Sequence, residues 1–174
     1  EGARTFSAQY IDLGTSPSAI ASSDITQDGL AELAVTDPTD GSLTFLFNRG
    51  GDLNEQLQGD RPFNIASGDF DNDGRVDLFI STVGSNRLFR NTGSRFEDVT
   101  GSAGVAGGKD EWSSSCGFFD YDDDGDLDLF VCNYVRWSKD FDLGQDHTLD
   151  GKLRAYGAPQ TFPGTYPYLY RNDG

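Results

Sequence analysis

The chain has 174 residues, 22 of them glycine, and a formal net charge of −16. Nucleic-acid binding needs clustered Lys and Arg, so this charge argues against nucleic-acid partners and against anionic membrane surfaces. No apolar run approaches the ~20 residues that span a bilayer, so we expect no membrane insertion in this segment. The glycine content and the 13% aromatic residues favour short strands and tight turns, which predicts an all-β chain.

Residues 1–15 begin the chain in the middle of a pattern. The segment "TFSAQYIDLGTSP" (5–17) matches the segment that follows the second repeat described below, so 1–15 are predicted to form the last strand of a preceding blade. Because the sequence contains no Met and ends on the half-repeat "LYRNDG", we expect a processed product or a fragment of a longer protein.

Three acidic segments superpose without gaps: "SDITQDGLAELAV" (23–35), "GDFDNDGRVDLFI" (68–80) and "FDYDDDGDLDLFV" (119–131). A second motif follows each of them: "LFNRGG" (46–51), "LFRNTG" (88–93) and "LYRNDG" (169–174). Each unit predicts four short strands, with the acidic segment between the first and second strands. Four-stranded units with a period of 40–50 residues are typical of β-propeller blades. The predicted repeats are 16–60, 61–110 and 111–174, the last with an insert at 133–168.

The second and third acidic segments have the order Asp-x-Asp-x-Asp-Gly-x-x-Asp, which predicts cation-binding loops. Alternate carboxylates in a tightly turning loop point at one centre, and the glycine permits the turn. A flexible shell of oxygen ligands is typical of Ca²⁺, whereas Zn²⁺ favours Cys and His, and Mg²⁺ takes fewer protein ligands. The predicted ligands are the carboxylates of Asp69, Asp71, Asp73, Asp77, Asp120, Asp122, Asp124 and Asp128, with backbone carbonyls from Arg75 and Asp126.

The first acidic segment is an incomplete version of the other two, because Thr26 replaces the middle carboxylate. We expect two to three Ca²⁺ ions in all, each holding its loop and strands in place. An EF-hand is excluded because the twelfth loop position is Val or Ile rather than Glu. The predicted ligands of the first loop are Asp24, Thr26, Asp28, Glu32 and the carbonyl of Leu30.

The chain resembles the FG-GAP/VCBS repeats of the integrin-α-type β-propeller, and most of all their cartilage-acidic-protein-like branch. The residues that carry the resemblance are "GDFDNDGRVDLFISTVGSNRLFRNTGSRFEDVT" and "CGFFDYDDDGDLDLFVCNYV" with the later "LDGK" and "LYRNDG". The resemblance implies about three four-stranded blades, from a seven-bladed propeller or a larger repeat assembly, with Ca²⁺ between the first two strands of a blade. Three repeats do not close a seven-bladed ring, and the first loop lacks its middle Asp.

Two cysteines flank the third acidic segment, Cys116 four residues before Asp120 and Cys132 four residues after Asp128. In an antiparallel hairpin such positions can face each other, and an even cysteine count in an exported protein favours a disulfide. The alternative is a pair of small buried apolar side chains.

The insert 133–168 is rich in aromatic residues that the repeat pattern does not explain. One interpretation is a loop whose aromatic rings cover the blade, since such rings bury well. The other is a contact patch for a carbohydrate or a protein. The residues of this possible ligand patch are Tyr134, Trp137, Phe141 and Tyr156.

These features favour a non-enzymatic, calcium-binding repeat module of a secreted or cell-surface protein, extracellular or periplasmic, used for adhesion, scaffolding or assembly. No acid–base or nucleophile constellation stands apart from the acidic loops. The expected partner is a protein or a glycan at the extracellular surface, or further copies of the chain. A self-assembling filament and a lectin-like propeller that uses the aromatic insert are the alternatives.

Overall fold

The computed structural model describes residues 12–13, 16–48, 52–56 and 61–174, with the backbone alone for 52–56. The strand predicted for 1–15 therefore lies outside the described residues, apart from 12–13. Three antiparallel sheets of three or four strands follow one another along the chain, as the repeats predict for propeller-type blades. Among the described residues, no helix is both long and apolar enough to span a bilayer.

The first sheet has four strands in chain order: β1 (Ala19–Ser23), β2 (Glu32–Asp37), β3 (Ser42–Leu46) and β4 (Asp52–Gln56). The second sheet repeats this order with β5 (Pro62–Gly68), β6 (Asp77–Thr82), β7 (Arg87–Asn91) and β8 (Phe96–Asp98). A one-turn helix, α1 (Thr100–Ala103), then leads towards the third sheet. In both sheets each strand pairs with the next one along the chain, which is the topology of a propeller blade.

The third sheet has three strands among the described residues: β9 (Glu111–Phe119), β10 (Asp128–Arg136) and β13 (Tyr168–Tyr170). The predicted insert is shorter than 133–168, because β10 continues to Arg136 and β13 begins at Tyr168. It also has its own secondary structure: α2 (Lys139–Gly144), the hairpin β11 (Thr148–Leu149) and β12 (Leu153–Arg154), and a 3₁₀ turn (Pro159–Thr161).

Two apolar cores hold the three sheets side by side. The second sheet lies between its neighbours, with β5 in contact with both β1 and β9. Strand β6 is buried along its whole length, and its side chains alternate between the two cores. Leu78 and Ile80 pack towards the first sheet, and Phe79 packs towards the third. Each of these three residues is fully buried, which stabilises the fold by roughly 1.5–3 kcal/mol per side chain.

This stacking sets the position of the acidic segments. Each one joins the first strand of a sheet to the second, so all three lie at the same end of neighbouring sheets. We name residues 24–32, 69–77 and 120–128 the first, second and third acidic loops. The approach between neighbours is close at Gly68, where a Cβ would lie 3.0 Å from the ring of Phe118. A glycine at this point therefore permits the third sheet to pack against the second acidic loop.

Candidate metal sites

The same backbone hydrogen bonds hold all three acidic loops in their conformation. In each, the first Asp accepts two backbone N–H groups, from the fifth and sixth residues of the loop. For Asp69 these bonds are 3.1 Å from Asp73 and 2.8 Å from Gly74. The fourth residue and the sixth, a glycine, have positive φ, and φ of Gly74 is +85°. At the fourth position φ is close to the value of about +57° that side chains can adopt, whereas at the sixth it is +85° to +95°, where a Cβ causes more strain; this explains the glycine that all three loops share there.

Carboxylates converge in the second and third loops. The oxygens of Asp69, Asp71 and Asp77 lie within 4.8 Å of one another. The same arrangement occurs at the equivalent positions of the third loop, with Asp120, Asp122 and Asp128. Three carboxylates on one centre offer the hard oxygen ligands that Ca²⁺ takes, and neither group contains Cys or His. The donor set therefore fits calcium.

The last carboxylate of each of these loops is fully buried and accepts two backbone hydrogen bonds. Asp77 accepts the backbone N–H of Phe70 at 3.1 Å and that of Asn91 at 2.7 Å. Asp128 accepts the equivalent bonds from Tyr121 at 2.7 Å and Asn172 at 2.8 Å. A carboxylate has about four lone-pair sites, so these bonds leave capacity for a cation. Asp77 thus joins its loop to the third strand of its sheet, and Asp128 joins its loop to Asn172, just beyond the third strand.

The electrostatics of the second and third loops favour a cation. Burial, and to a smaller extent the charges of Asp71 and Asp73, raise the pKa of Asp77 to about 6 against the effect of its two hydrogen bonds. Burial also raises the pKa of Asp122, and the carboxylates of Asp124 and Asp128 add to this rise. In both cases desolvation first, and neighbouring carboxylates second, disfavour the charged form, and a divalent cation offsets both effects.

Two predicted ligands do not join these carboxylate groups. Asp73 forms an ion pair with Arg75 at 2.5 Å and also accepts the Arg75 backbone N–H. Asp124 lies with Asp122 and Asp173 instead, and Asp173 was not predicted from the sequence. The side chain of Asp126 accepts a hydrogen bond from the amide of Asn72 in the second loop. The carbonyls of Leu30, Arg75 and Asp126 stay predicted ligands.

The first loop gathers no such carboxylate group among the described residues. Asp24 accepts the same two hydrogen bonds, from the backbone N–H groups of Asp28 and Gly29. The buried carboxylate of Glu32 accepts the backbone N–H groups of Ile25 and Thr26 and a hydrogen bond from the Asn48 amide. The first loop therefore has the shape of the others without their converging acids.

Sequence reasoning missed the asparagines of the second motif. The amide of Asn91 donates to the carbonyl of Ile25 in the first loop at 3.0 Å and to that of Val76 at 3.2 Å. Asn172 makes the equivalent bonds to Phe70 in the second loop and to Leu127. Each asparagine thus ties its own acidic loop to that of the preceding sheet. Its recurrence at the same position of two motifs was the available signal.

The predicted disulfide is wrong, because both cysteines are free. In the β9–β10 ladder Cys116 pairs with Val131, and Cys132 pairs with Ser115. The two cysteines are therefore offset by one residue, and side chains alternate between sheet faces with a period of two, so their side chains lie on opposite faces. Burial raises the pKa of the Cys116 thiol to about 12, which keeps it in the protonated, less nucleophilic form.

The aromatic residues predicted as a ligand patch separate into two groups. Tyr134, Trp137 and Tyr156 line one cavity of about 520 Å³. Phe141 is not among its lining residues, and packs against Phe162 with 5.7 Å between ring centroids. The cavity has further walls that the sequence did not indicate, among them Phe63 and Trp112.

Comparison with known proteins agrees with the positions of the loops. No curated protein matches the chain. The model of the FG-GAP-like repeat matches residues 24–80 and 69–131. Each match begins at the first Asp of one acidic loop and ends in the strand that follows the next acidic loop. The matches therefore have the same register as the three repeats. The cartilage-acidic-protein-like branch stays a prediction. The matches span more than half of the sequence, and the chain therefore belongs to the FG-GAP-like repeat family.

Proposed function

We propose that this chain is a non-enzymatic, Ca²⁺-stabilised repeat module of an extracellular protein. The observation that carries the proposal is the convergence of three carboxylates in each of two loops, with one fully buried acid in each group. Membership of a repeat family typical of extracellular proteins supports the location. In this role the module provides a stable adhesive or scaffolding surface that binds a protein or glycan partner.

The hydrogen bonds around the loops explain how a bound cation stabilises the fold. A cation supplies the positive charge that the converging carboxylates lack. Asp77 holds its loop to the third strand of its sheet, and Asp128 holds its loop to Asn172 just beyond the third strand. Asn91 and Asn172 hold each loop to the preceding one. Neutralising the carboxylates therefore strengthens contacts within sheets and between them. Ion binding and sheet stacking are coupled in this arrangement.

Thermal unfolding with and without Ca²⁺ tests the proposal. A ligand that binds only the folded state at 100 times its Kd stabilises it by about 2.7 kcal/mol per site. Two such sites raise the Tm of a domain of this size by roughly 10 °C or more. Excess chelator should remove this gain, and added Ca²⁺ should restore it where equal Mg²⁺ does not.

The matched control is the double variant Asp71→Ala and Asp122→Ala, which removes one exposed ligand from each group. Its Tm should respond only weakly to Ca²⁺. A melt of the unmodified chain that chelator leaves unchanged would contradict the proposal.

A further inference from the structure

A continuous path of hydrogen bonds joins the buried acids of the second and third loops. Asp128 accepts the backbone N–H of Asn172 at 2.8 Å. The side-chain amide of Asn172 donates to the carbonyl of Phe70 at 2.7 Å. The backbone N–H of Phe70 donates to Asp77 at 3.1 Å. Two residues, Asn172 and Phe70, therefore connect the last carboxylate of one candidate metal site with the last carboxylate of the other.

The same arrangement occurs between the first and second loops. Asp77 accepts the backbone N–H of Asn91 at 2.7 Å, and the amide of Asn91 donates to the carbonyl of Ile25 at 3.0 Å. The backbone N–H of Ile25 donates to Glu32 at 2.9 Å. The path therefore runs through the buried acids of all three loops, and its repetition at two junctions makes it a regular feature of neighbouring repeats.

Both ends of the path between the second and third loops are shielded from water. Asp77 and Asp128 have no exposed surface, and Asn172 and Phe70 are partly buried. Hydrogen bonds in such places are stronger than in water, and a buried N–H without its acceptor costs free energy. A shift of one loop therefore moves its neighbour or breaks a bond at a cost, so the conformations of the two loops depend on each other.

A second bond joins the same two loops at their exposed side. The amide of Asn72, the fourth residue of the second loop, donates to the carboxylate of Asp126 in the third. Gln27, the fourth residue of the first loop, likewise donates to the carbonyl of Gly74 in the second at 2.6 Å. Each loop is thus held to the next one both at its buried acid and at its exposed turn.

We propose that these bonds couple cation binding at the second and third loops, so that an ion at one loop raises the affinity of the other. The inference rests on the proposed function, because it concerns the same candidate sites. Ligation that fixes Asp77 also fixes Phe70 and Asn172, so part of the order that the third loop needs is already present. Asn172 is the positioning residue of this coupling, since its N–H and its amide each hold one of the two loops.

Charge acts in the opposite direction, because a cation at one loop makes the potential at the other less negative. Salt separates the two effects. The Debye length is about 8 Å at physiological ionic strength and about 3 Å at ~1 M salt, so high salt removes the repulsion between sites. Hydrogen bonds between the loops persist there, and the coupling that remains at ~1 M salt is the part carried by the structure.

Terbium luminescence can follow the third loop by itself. Tb³⁺ takes oxygen ligands as Ca²⁺ does, and a nearby Tyr ring excites it. Tyr121 lies between the ligands Asp120 and Asp122 of the third loop, whereas the equivalent residues of the other loops are Phe70 and Ile25. The luminescence that is lost in Tyr121→Phe is therefore the third-loop signal.

A double-mutant cycle tests the proposal. Asp71→Ala, which removes a ligand from the second loop, should weaken Tb³⁺ binding at the third loop about fivefold at ~1 M salt, near the lower end of typical coupling. In an Asn172→Ala background the same replacement should leave third-loop affinity nearly unchanged, because sites that are no longer coupled behave additively. Asn172→Ala keeps the backbone N–H that Asp128 accepts, and circular dichroism checks its fold.

Asn72→Gly is a second variant that removes the exposed link. Asn72 is exposed and has φ of +56°, which glycine adopts without strain, so this variant tests the proposal even if Asn172→Ala does not fold. It should also reduce the coupling. Asn133→Ala is the matched control, because the Asn133 amide donates to the carbonyl of Tyr166 at 2.8 Å rather than to a loop. It should leave the coupling unchanged.

Two results would overturn the inference alone. One is a third-loop affinity that Asp71→Ala does not alter at high salt, and the other is a coupling that Asn172→Ala and Asn72→Gly both leave intact. Absence of Tb³⁺ binding, together with a melt that chelator leaves unchanged, would instead reject the calcium proposal and this inference with it. Ion binding without coupling therefore remains distinguishable from the absence of ion binding.

Discussion

In the first and second acidic loops the first Asp accepts the same two backbone hydrogen bonds, but the other acidic residues differ. Asp24 accepts N–H groups at 3.0 and 2.9 Å, and Asp69 accepts the equivalent ones at 3.1 and 2.8 Å. Yet of these two loops, only the second brings three carboxylates together among the described residues. The loop conformation therefore depends on its first Asp and its glycine, and the acids at the third and ninth positions add the capacity to hold a cation.

The largest expected loss of stability follows from replacing Asp77, the buried acid of the second loop. Asp77→Ala removes the acceptor of two backbone N–H groups and one ligand of the carboxylate group. Because these donors are left unsatisfied, we expect a loss of about 3 kcal/mol in the free energy of unfolding even with chelator present. Urea denaturation measures this loss. Asp71→Ala, the exposed member of the same group, is the control. It should lower Ca²⁺ affinity while changing stability in chelator by less than about 1 kcal/mol; equal losses for both variants would argue against separate roles.

A smaller effect should be common to both loops. Gly29 and Gly74 have φ of +86° and +85°, and a Cβ at either would meet nothing within 4 Å. Gly29→Ala and Gly74→Ala should each cost about 1–2 kcal/mol from backbone strain alone, with or without Ca²⁺. Gly117→Ala, in open space and without positive φ, is the control and should cause no loss. If Gly29→Ala proved harmless in denaturation while Gly74→Ala did not, the loops would not share the same determinant of shape.

The smallest effect on stability should come from completing the first loop. Thr26→Asp supplies the middle carboxylate that this loop lacks. We expect about tenfold tighter Ca²⁺ binding at the weakest site in calorimetry, equivalent to about 1.4 kcal/mol. In chelator the added charge should cost less than about 1 kcal/mol. Thr39→Asp adds the same charge at an exposed turn and should not alter Ca²⁺ binding. Unchanged calcium binding by Thr26→Asp would mean that Glu32 and its hydrogen bonds, rather than the missing acid, limit the first loop.

Local patterns explain how much of the fold the sequence predicts. Apolar alternation in β6 and the glycines of the loops are short-range signals, so the strands and the turns follow from them. The converging acids follow from a fixed spacing around one turn. The positions of the Asp73 and Asp124 side chains do not, because Asp73 pairs with Arg75 instead, and Asp124 lies beside Asp173, which is distant in the sequence.

By itself the sequence determined the repeat, its four-strand period and the loops that carry converging acids, because each depends on residues close together in the chain. Only the tertiary structure decided which distant groups meet. The ladder register places Cys116 and Cys132 on opposite faces, Asn91 reaches the first loop, and Arg61 lies over Trp137 beside Trp112. These contacts depend on strand register and on the stacking of neighbouring sheets, where a shift of one residue reverses the side of the sheet on which a side chain lies.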